Sequence, residues 1–467
     1  MALGGTLMTI ALQRHSAKVI EAIRCSEQSD APFGAVIASP PEVHGKVLMC
    51  DLKVLEGVKN PLLVRASIMK NERSERLMVG DGIRFSGEWE PLLPDEEPLE
   101  RGQLARKKST DGQAGIFNYR QHLRRHGYAA TCFVSDDAWM GVALRLTSLS
   151  LAERTRLALS GVREQLVERL GKMGLADEQL AIVAAMTLGD KTMLDKRTKD
   201  IFSTTGASHV LALSGLHLGI IYSLLLILSF RKRLTPVFSC VLLLMIWGYV
   251  IMVGMSPSVV RAALMLTLYT LIQLIGREKT SINALAFAAF VMLIVSPMAV
   301  YDVGFQLSFA SVGAILLCYR PLYGVLSDRC NVKRWKVADK LWQLTCVSIA
   351  AQIGVAPLIA LYFHRLPVYF LLTNFIVIPV ATVLIMLTLA FFVCWWWAGA
   401  QWLLGKGIAF LVVFMNNTLT AISEWPGASI GPLHITSLQV VLLYVAMICI
   451  YILLTWRRDG RLVKTDE

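Results

Sequence analysis

Hydrophobic and polar positions follow different patterns in the two halves of this 467-residue chain. Up to Ser208 charged and apolar residues are mixed, as in a globular domain, whereas long apolar runs follow that residue. About 20 apolar residues in a helix are enough to cross the ~30 Å hydrocarbon core of a bilayer. The second half therefore predicts a polytopic α-helical membrane domain, and the first half predicts a domain outside the lipid.

The apolar runs divide into nine predicted transmembrane spans. Trp395–Trp397 are typical of the aromatic belt at a membrane interface, whereas Asn416 and Asn417 interrupt the eighth span. The predicted spans are 209–230, 235–254, 258–276, 281–300, 303–319, 343–363, 367–394, 402–421 and 437–456.

The first half predicts a small β domain over residues 33–134. Alternating apolar residues form strand-like runs around the turn Gly80-Asp81-Gly82, and the polar stretch 94–115 indicates a loop. Residues 135–205 then change to a helical period and predict an amphipathic helical connector. Within it we expect Asp190 and Lys191 to cap neighbouring helices.

The formal net charge of +12 lies almost wholly after Ser208. Binding of nucleic acid is one explanation of a pI near 9.3, and membrane topology is the other. If the loop Arg231–Arg233 is cytoplasmic, so are the loops 277–280, 320–342 and 395–406 and the tail 457–467, and these carry the positive excess. We therefore attribute the basicity to topology, with the N-terminal domain outside the cell interior and the C-terminal tail in the cytoplasm.

Candidate chemistry is sparse. The nine cysteines form no CxxC pair; Cys25, Cys50 and Cys132 could form one disulfide or remain thiols. His209 and His217 stand eight residues apart without an acid nearby, which is not a metal-ligand spacing. There is no GxxxxGK[ST] phosphate loop. We predict no enzyme, no metal and no cofactor.

The first predicted span contains several polar residues. His209, Ser214, Gly215, His217 and Gly219 lie within eleven residues of an otherwise apolar run. Such residues belong against protein or water instead of acyl chains. They predict the wall of a lined cavity, or else close packing between helices.

Later spans carry further candidates. Arg261 lies about one turn inside its span, where a guanidinium snorkels, pairs or faces water. Asp302 opens a helix and is a candidate partner for Arg261, with Gln306 one turn further on. Together these three could form a polar ring or a structural clasp.

Prolines and amides mark the sixth and seventh spans. Pro357 follows Gln352 and should kink its helix, and Asn374 precedes Pro379 in the next span. Broken helices that bear polar residues are typical of cavity walls, although packing alone explains many of them.

Three of these stretches resemble the ComEC competence family of bacterial DNA-uptake channels. They are TGASHVLALSGLHLGI, the element around Pro257-Ser258 and Arg261-Ala262, and Asp302-Val303-Gly304-Phe305-Gln306-Leu307-Ser308. The resemblance spans about 33–456 and implies an OB-like outer domain, a competence-type membrane domain over 206–456, and residues 1–12 as the remnant of a further helix. The family's aromatic-Asp-Tyr element has Asn118 in place of the acid, and its C-terminal metallo-β-lactamase-like domain is not expected here.

The resemblance implies a channel that passes single-stranded DNA through the plasma (inner) membrane during natural transformation. Its implied partners are the lipid bilayer, a DNA receptor outside and a helicase-like ATPase inside, and the pore could be monomeric or lie between subunits of a homo-oligomer. The channel-lining candidates are His209, Ser214, Gly215, His217, Arg261, Asp302, Gln306, Gln352, Asn374 and Pro379. A small-solute transporter or permease, and a membrane scaffold that recruits partners through its outer domain, remain as alternatives.

Overall fold

A computed structural model describes most of the chain as two compact units. The first comprises Met1–Gln165 with Met292–Asp302, and the second comprises Leu166–Val291 with Val303–Glu467. The predicted loop 94–115, Asn118, the loops Arg231–Arg233 and 277–280, and the end of the tail lie outside the described residues. The described residues are 2–27, 31–93, 119–143, 149–228, 236–275, 281–330 and 336–462.

The first unit contains an eight-stranded mixed sheet, two flanking helices and the start of a third helix. Strand order along the sheet is β6-β7-β4-β3-β1-β5-β8, and β2 pairs with β3. The elements are α1 (Ala2–Glu27), β1 (Phe33–Ile37), β2 (Glu42–His44), β3 (Val47–Glu56), β4 (Leu62–Met69), β5 (Gly82–Phe85), β6 (Glu88–Pro91), α2 (Tyr119–Arg125), β7 (Ala130–Val134), β8 (Trp139–Gly141) and α3 (Leu151–Gly171).

This sheet closes on itself because one long strand bends. β5 pairs with β1 and β6 pairs with β7, while two residues alone, Ser86 and Gly87, separate β5 from β6. A Cβ on Gly87 would lie 2.4 Å from the carbonyl oxygen of Phe133, so the bend needs a glycine. The resulting barrel has one parallel pair, between β4 and β7, and confirms the small β domain that the sequence predicts.

The barrel interior explains the alternation seen in the sequence. Every second side chain of β3 and β4 is buried, as expected for strands with one core face. Cys50 and Cys132 lie in this core together with Cys25 of α1, and all three are free thiols. Burial raises the pKa of the Cys50 thiol to about 12, so this cysteine is unreactive at neutral pH.

Residues 1–12 do not form a separate element, since α1 continues from Ala2 to Glu27. Its C-terminal half packs onto the barrel through Ala22 and Cys25. The predicted connector 135–205 also differs from expectation at its start, because residues 139–141 form β8 and pair with β5.

The second unit is helical. Among the residues described, five of its helices are long and apolar enough to cross a membrane: α9, the Val303–Gly324 part of α11, α12, α13 and α14. Four shorter apolar helices coincide with the remaining predicted spans. The elements are α4 (Asp177–Leu188), α5 (Lys196–Thr204), α6 (Ser208–Leu211), α7 (Gly215–Leu228), α8 (Pro236–Met252), α9 (Pro257–Ile275), α10 (Ser281–Val295), α11 (Val303–Cys330), α12 (Lys336–Phe363), β9 (Leu366–Pro367), α13 (Phe370–Val393), α14 (Ala398–Ser423), β10 (Ser429–Ile430) and α15 (Ser437–Leu462).

The helix α4 is a core element, not part of a peripheral amphipathic connector. Its residues from Leu180 to Leu188 are all buried, and they pack against α13 and α14. Gly189 ends the helix with a φ of +73°, as in a left-handed cap. Asp190 caps its own turn, because its carboxylate accepts from the backbone and hydroxyl of Thr192, and it caps no other helix among the residues that the structure describes.

The first predicted span, 209–230, is not one continuous helix. The short α6 ends at Leu211, the chain extends through Ala212, and α7 begins at Gly215. In contrast, α12 and α13 are assigned as single helices through Pro357 and Pro379, and α14 continues through its two asparagines.

The hydrogen bond of Asn416 explains why the eighth span tolerates an amide side chain. Its Nδ2 donates to the carboxylate of Glu178 at the start of α4, over 3.0 Å. The amide therefore faces protein, and the sequence pattern alone does not reveal this partner.

Candidate functional site

The break before α7 is stabilised by two of the predicted polar residues. Ser214 precedes the helix, and its hydroxyl lies 2.8 Å from Nδ1 of His217, while its backbone N–H donates to the same nitrogen over 3.2 Å. This is a variant of the capping box, with histidine in the position usually held by glutamate. A helix N-terminus has unsatisfied N–H groups, so the polar residues in this apolar run follow from the break itself.

Arg261 lies beside this helix start. It is on the second turn of α9 and is 5% exposed. Its Nη1 donates to the carbonyl oxygen of Ser308 on α11 over 2.8 Å, and its guanidinium carbon is 5.8 Å from the Phe309 ring centroid. A Cβ on Gly215 would lie 3.3 Å from Nη2, so the guanidinium is packed against the first turn of α7.

Three apolar helices thus bring polar groups to one place. We call Ser214, Gly215, His217, Arg261 and Ser308 the polar junction. His217 is 1% exposed and Ser308 is 9% exposed, whereas Ser214 and Gly215 are half-buried. Four of these five residues, all except Ser308, are sequence-predicted candidates that the structure assembles.

The junction provides hydrogen-bond donors and a positive charge. A serine–histidine pair also occurs in hydrolases, where a third group orients the histidine base. Here the second ring nitrogen of His217, Nε2, has no hydrogen-bond partner among the described residues. Within the same part of the chain, no group of three or more His, Cys, Asp or Glu is placed to hold a metal.

The other candidates form separate contacts. Tyr362 donates to Oε1 of Gln306 over 2.7 Å between α12 and α11. Asn374 donates to Ser348 over 3.2 Å between α13 and α12, and both side chains are buried. The structure therefore places Gln306 and Asn374 at further helix contacts and not in the polar junction.

Three candidates take no part in any buried polar pair. His209 is exposed and its Nδ1 lies 3.0 Å from the Gly206 carbonyl oxygen. Gln352 is half-buried on α12, and Pro379 is exposed on α13. An exposed position on a membrane helix is a position for lipid as readily as for a cavity.

Asp302 has a partner other than the predicted Arg261. Its carboxylate lies 3.1 Å from Nε2 of His126 in the first unit, whereas Arg261 donates to a backbone carbonyl. The hydrogen bond to Asp302 raises the pKa of His126, and burial lowers the pKa of the adjacent His122. The proposed Arg261–Asp302 pair is therefore wrong.

The contact of α2 with the turn before α11 extends beyond this one bond. The Arg125 guanidinium lies 4.7 Å from the ring centroid of Tyr301, within cation–π range. The basic end of α2 therefore packs against the turn that precedes α11.

Sequence reasoning missed the second partner in each of the three contacts. Ser308 contributes its backbone carbonyl, for which residue type gives no signal. Tyr362 and Ser348 stand alone in apolar runs, and no spacing connects them to Gln306 or Asn374. Buried amides and guanidinium groups require partners, but the fold alone decides which ones.

Comparison with known proteins assigns the chain to a family. The sequence profile of the family described as "Competence protein" matches residues 186–458, which contain the whole polar junction. The chain belongs to the competence protein family. Together with its apolar helices, this membership identifies a multi-pass protein of the inner membrane.

Individual relatives agree. The chain is 27% identical to ComE operon protein 3 of Bacillus subtilis over 64% of its length and 36% of the relative's. It is 25% identical to Recombination protein 2 of Haemophilus influenzae over 56% of its length and 35% of the relative's. An uncharacterized protein of Aquifex aeolicus is 34% identical over 45% of this chain and 48% of its own. The matches thus span about a third to a half of these relatives, and no solved structure matches the chain.

Proposed function

We propose that this protein is a component of the channel that moves single-stranded DNA across the inner membrane during natural transformation. The polar junction carries the proposal: it places a cation, a histidine and a helix N-terminus inside a bundle of apolar helices, within the family-matched residues. Polar residues in such a position line substrate pathways in membrane proteins more often than they serve stability.

The conformation described here is a closed one under this proposal. Arg261 and His217 are enclosed by α7, α9 and α11, so a strand reaches them only after these helices separate. Small residues make such movement feasible, because Gly215 and Gly354 let neighbouring helices approach closely without interlocking side chains.

We propose that the transport step needs no catalysis by these residues. The driving force would come from a separate ATPase on the cytoplasmic side, and a receptor outside would deliver the DNA. The barrel of the first unit would face outside, where it would act chiefly as a scaffold.

Uptake in a living cell tests the proposal. The full gene is expressed in a naturally transformable bacterium that lacks its own family member, and entry of labelled DNA into a nuclease-resistant cytoplasmic pool is measured together with surface binding. Arg261→Ala should abolish entry while surface binding and protein level stay unchanged. Arg320→Ala, which removes an exposed cation of α11, is the matched control and should support normal entry.

Other outcomes distinguish the alternatives. Normal DNA entry without the protein contradicts the channel and favours a permease for small solutes. Loss of surface binding together with entry favours a scaffold that assembles the receptor.

A further inference from the structure

Two donors in the polar junction have no acceptor. Nε of Arg261 and Nε2 of His217 are buried and make no hydrogen bond within the described part of the chain. Because the Ser214 backbone N–H donates to Nδ1, the neutral His217 ring carries its proton on Nε2. Buried donors in folded proteins are almost always paired, and leaving one unpaired is costly.

The charge of Arg261 is also uncompensated. Its one hydrogen bond goes to a neutral carbonyl, that of Ser308. Among the residues that the structure describes, no carboxylate forms an ion pair with it. Buried guanidinium groups normally pair with an anion, since desolvation of an unpaired charge costs several kcal/mol.

The helix start beside Arg261 favours an anion as well. Gly215 is the first residue of α7, whose 14 residues direct their unsatisfied N–H groups and the positive end of the helix dipole toward the junction. Nη2 of Arg261 lies against this turn, 3.3 Å from where a Cβ would stand on Gly215. A nearly fully buried guanidinium with an unpaired Nε therefore lies at a helix N-terminus.

We propose that the polar junction binds one phosphodiester group of the DNA strand, through the Arg261 guanidinium and the first N–H groups of α7. The inference rests on the proposed function and names the group of the substrate that is recognised. A strand is favoured over a lipid headgroup because three helices enclose Arg261. A single cation holds one phosphate at a time, which permits release of the strand to the next position.

Salt dependence of DNA binding tests the site. The full chain is purified in a phosphate-free maltoside detergent, and binding of a fluorescent 20-nucleotide single strand is measured by anisotropy over a series of NaCl concentrations. Arg261→Gln should weaken binding about tenfold at low salt. It should also reduce the slope of log K against log salt by about 0.7, the value for one lost phosphate contact on a single strand.

Matched variants separate this contact from charge and from folding. Arg320→Gln removes an exposed cation of α11 and should leave the slope nearly unchanged. Arg261→Lys keeps the charge and should keep most of the slope. If Arg261→Gln does not elute as a folded monodisperse species, Gly215→Ala serves instead, because its methyl group occupies the space beside Nη2 and should weaken binding about tenfold with the charge intact.

Three results would overturn the site. If Arg261→Gln and Arg320→Gln give equal salt slopes, Arg261 makes no phosphate contact. The proposed channel function still stands in that case if DNA entry persists. Normal binding by Gly215→Ala likewise excludes the phosphate contact. Loss of one co-purifying phospholipid in Arg261→Gln, with unchanged DNA binding, assigns the junction to a lipid headgroup. Failure of the wild-type protein to bind or import DNA contradicts the proposed function itself.

Discussion

A close contact between α11 and α12 predicts a measurable effect of one methyl group. A Cβ on Gly354 of α12 would lie 2.5 Å from the carbonyl oxygen of Ala310 and 2.6 Å from Cβ of Ala314, both on α11. Ordinary contact distances are ~3.5 Å, so Gly354→Ala forces α11 away from α12 by about 1 Å. Overpacking of this kind costs ~1–3 kcal/mol, against a gain of ~1 kcal/mol for alanine over glycine in a helix.

Gly313→Ala is the matched control, because it adds the same methyl group to α11 with no atom within 4 Å. The two variants should differ in unfolding free energy by about 1–3 kcal/mol, with Gly354→Ala the less stable. Reversible unfolding of the reconstituted protein in mixed SDS micelles measures the difference. Because α11 also carries the carbonyl that accepts from Arg261, Gly354→Ala should reduce DNA entry as well. Equal stability of the two variants would refute the close α11–α12 packing.

Three further predictions concern the first unit and the turns. The pKa of His126 is raised in the folded state, so its bond to Asp302 should stabilise the turn before α11 below pH ~6.5 and should weaken as the pH rises through the raised pKa. Hydrogen exchange of the amides in that turn measures this pH dependence. Asp302→Asn should abolish it. Gly206→Ala should destabilise the protein by more than Gly174→Ala in thermal unfolding, because both have a left-handed φ but a methyl group on Gly206 also contacts a proline 3.0 Å away. Gly87→Ala should abolish the closed barrel and give aggregated protein, since its methyl group would lie 2.4 Å from a β7 carbonyl.

Local sequence patterns were sufficient to predict much of the fold. Apolar runs predicted the helices of the second unit, and period-2 alternation predicted β3 and β4, because both signals reflect burial of one face.

The wrong predictions concern features that tertiary contacts determine. The apolar run after Ser208 was taken as one helix, but a serine and a histidine stabilise a new helix start at Gly215. Asp302 was paired with Arg261 because both are charged residues near the ends of spans, whereas its partner, His126, is 176 residues distant in sequence. Long-range pairing of this kind leaves no local periodicity to detect.

The candidate site was predicted in part for the same reason. Ser214, Gly215, His217 and Arg261 were identified because polar residues in apolar runs are costly and therefore need partners. Which of them meet could not be predicted, and Gln306 and Asn374 belong to other helix contacts. A residue list from a sequence thus predicts members of polar contacts better than it predicts a single shared cavity.

The most direct test of the account is to trap a strand during transport. Single-stranded DNA that carries photoreactive 4-thiothymidine and a bulky trailing protein is arrested in the reconstituted channel with its ATPase, irradiated, and the crosslinked peptides are identified by mass spectrometry. The account predicts crosslinks to peptides of α7, α9 and α11 that contain the polar junction. Crosslinks confined to the β barrel or to the exposed face of α15, in a preparation that transports DNA, would contradict it.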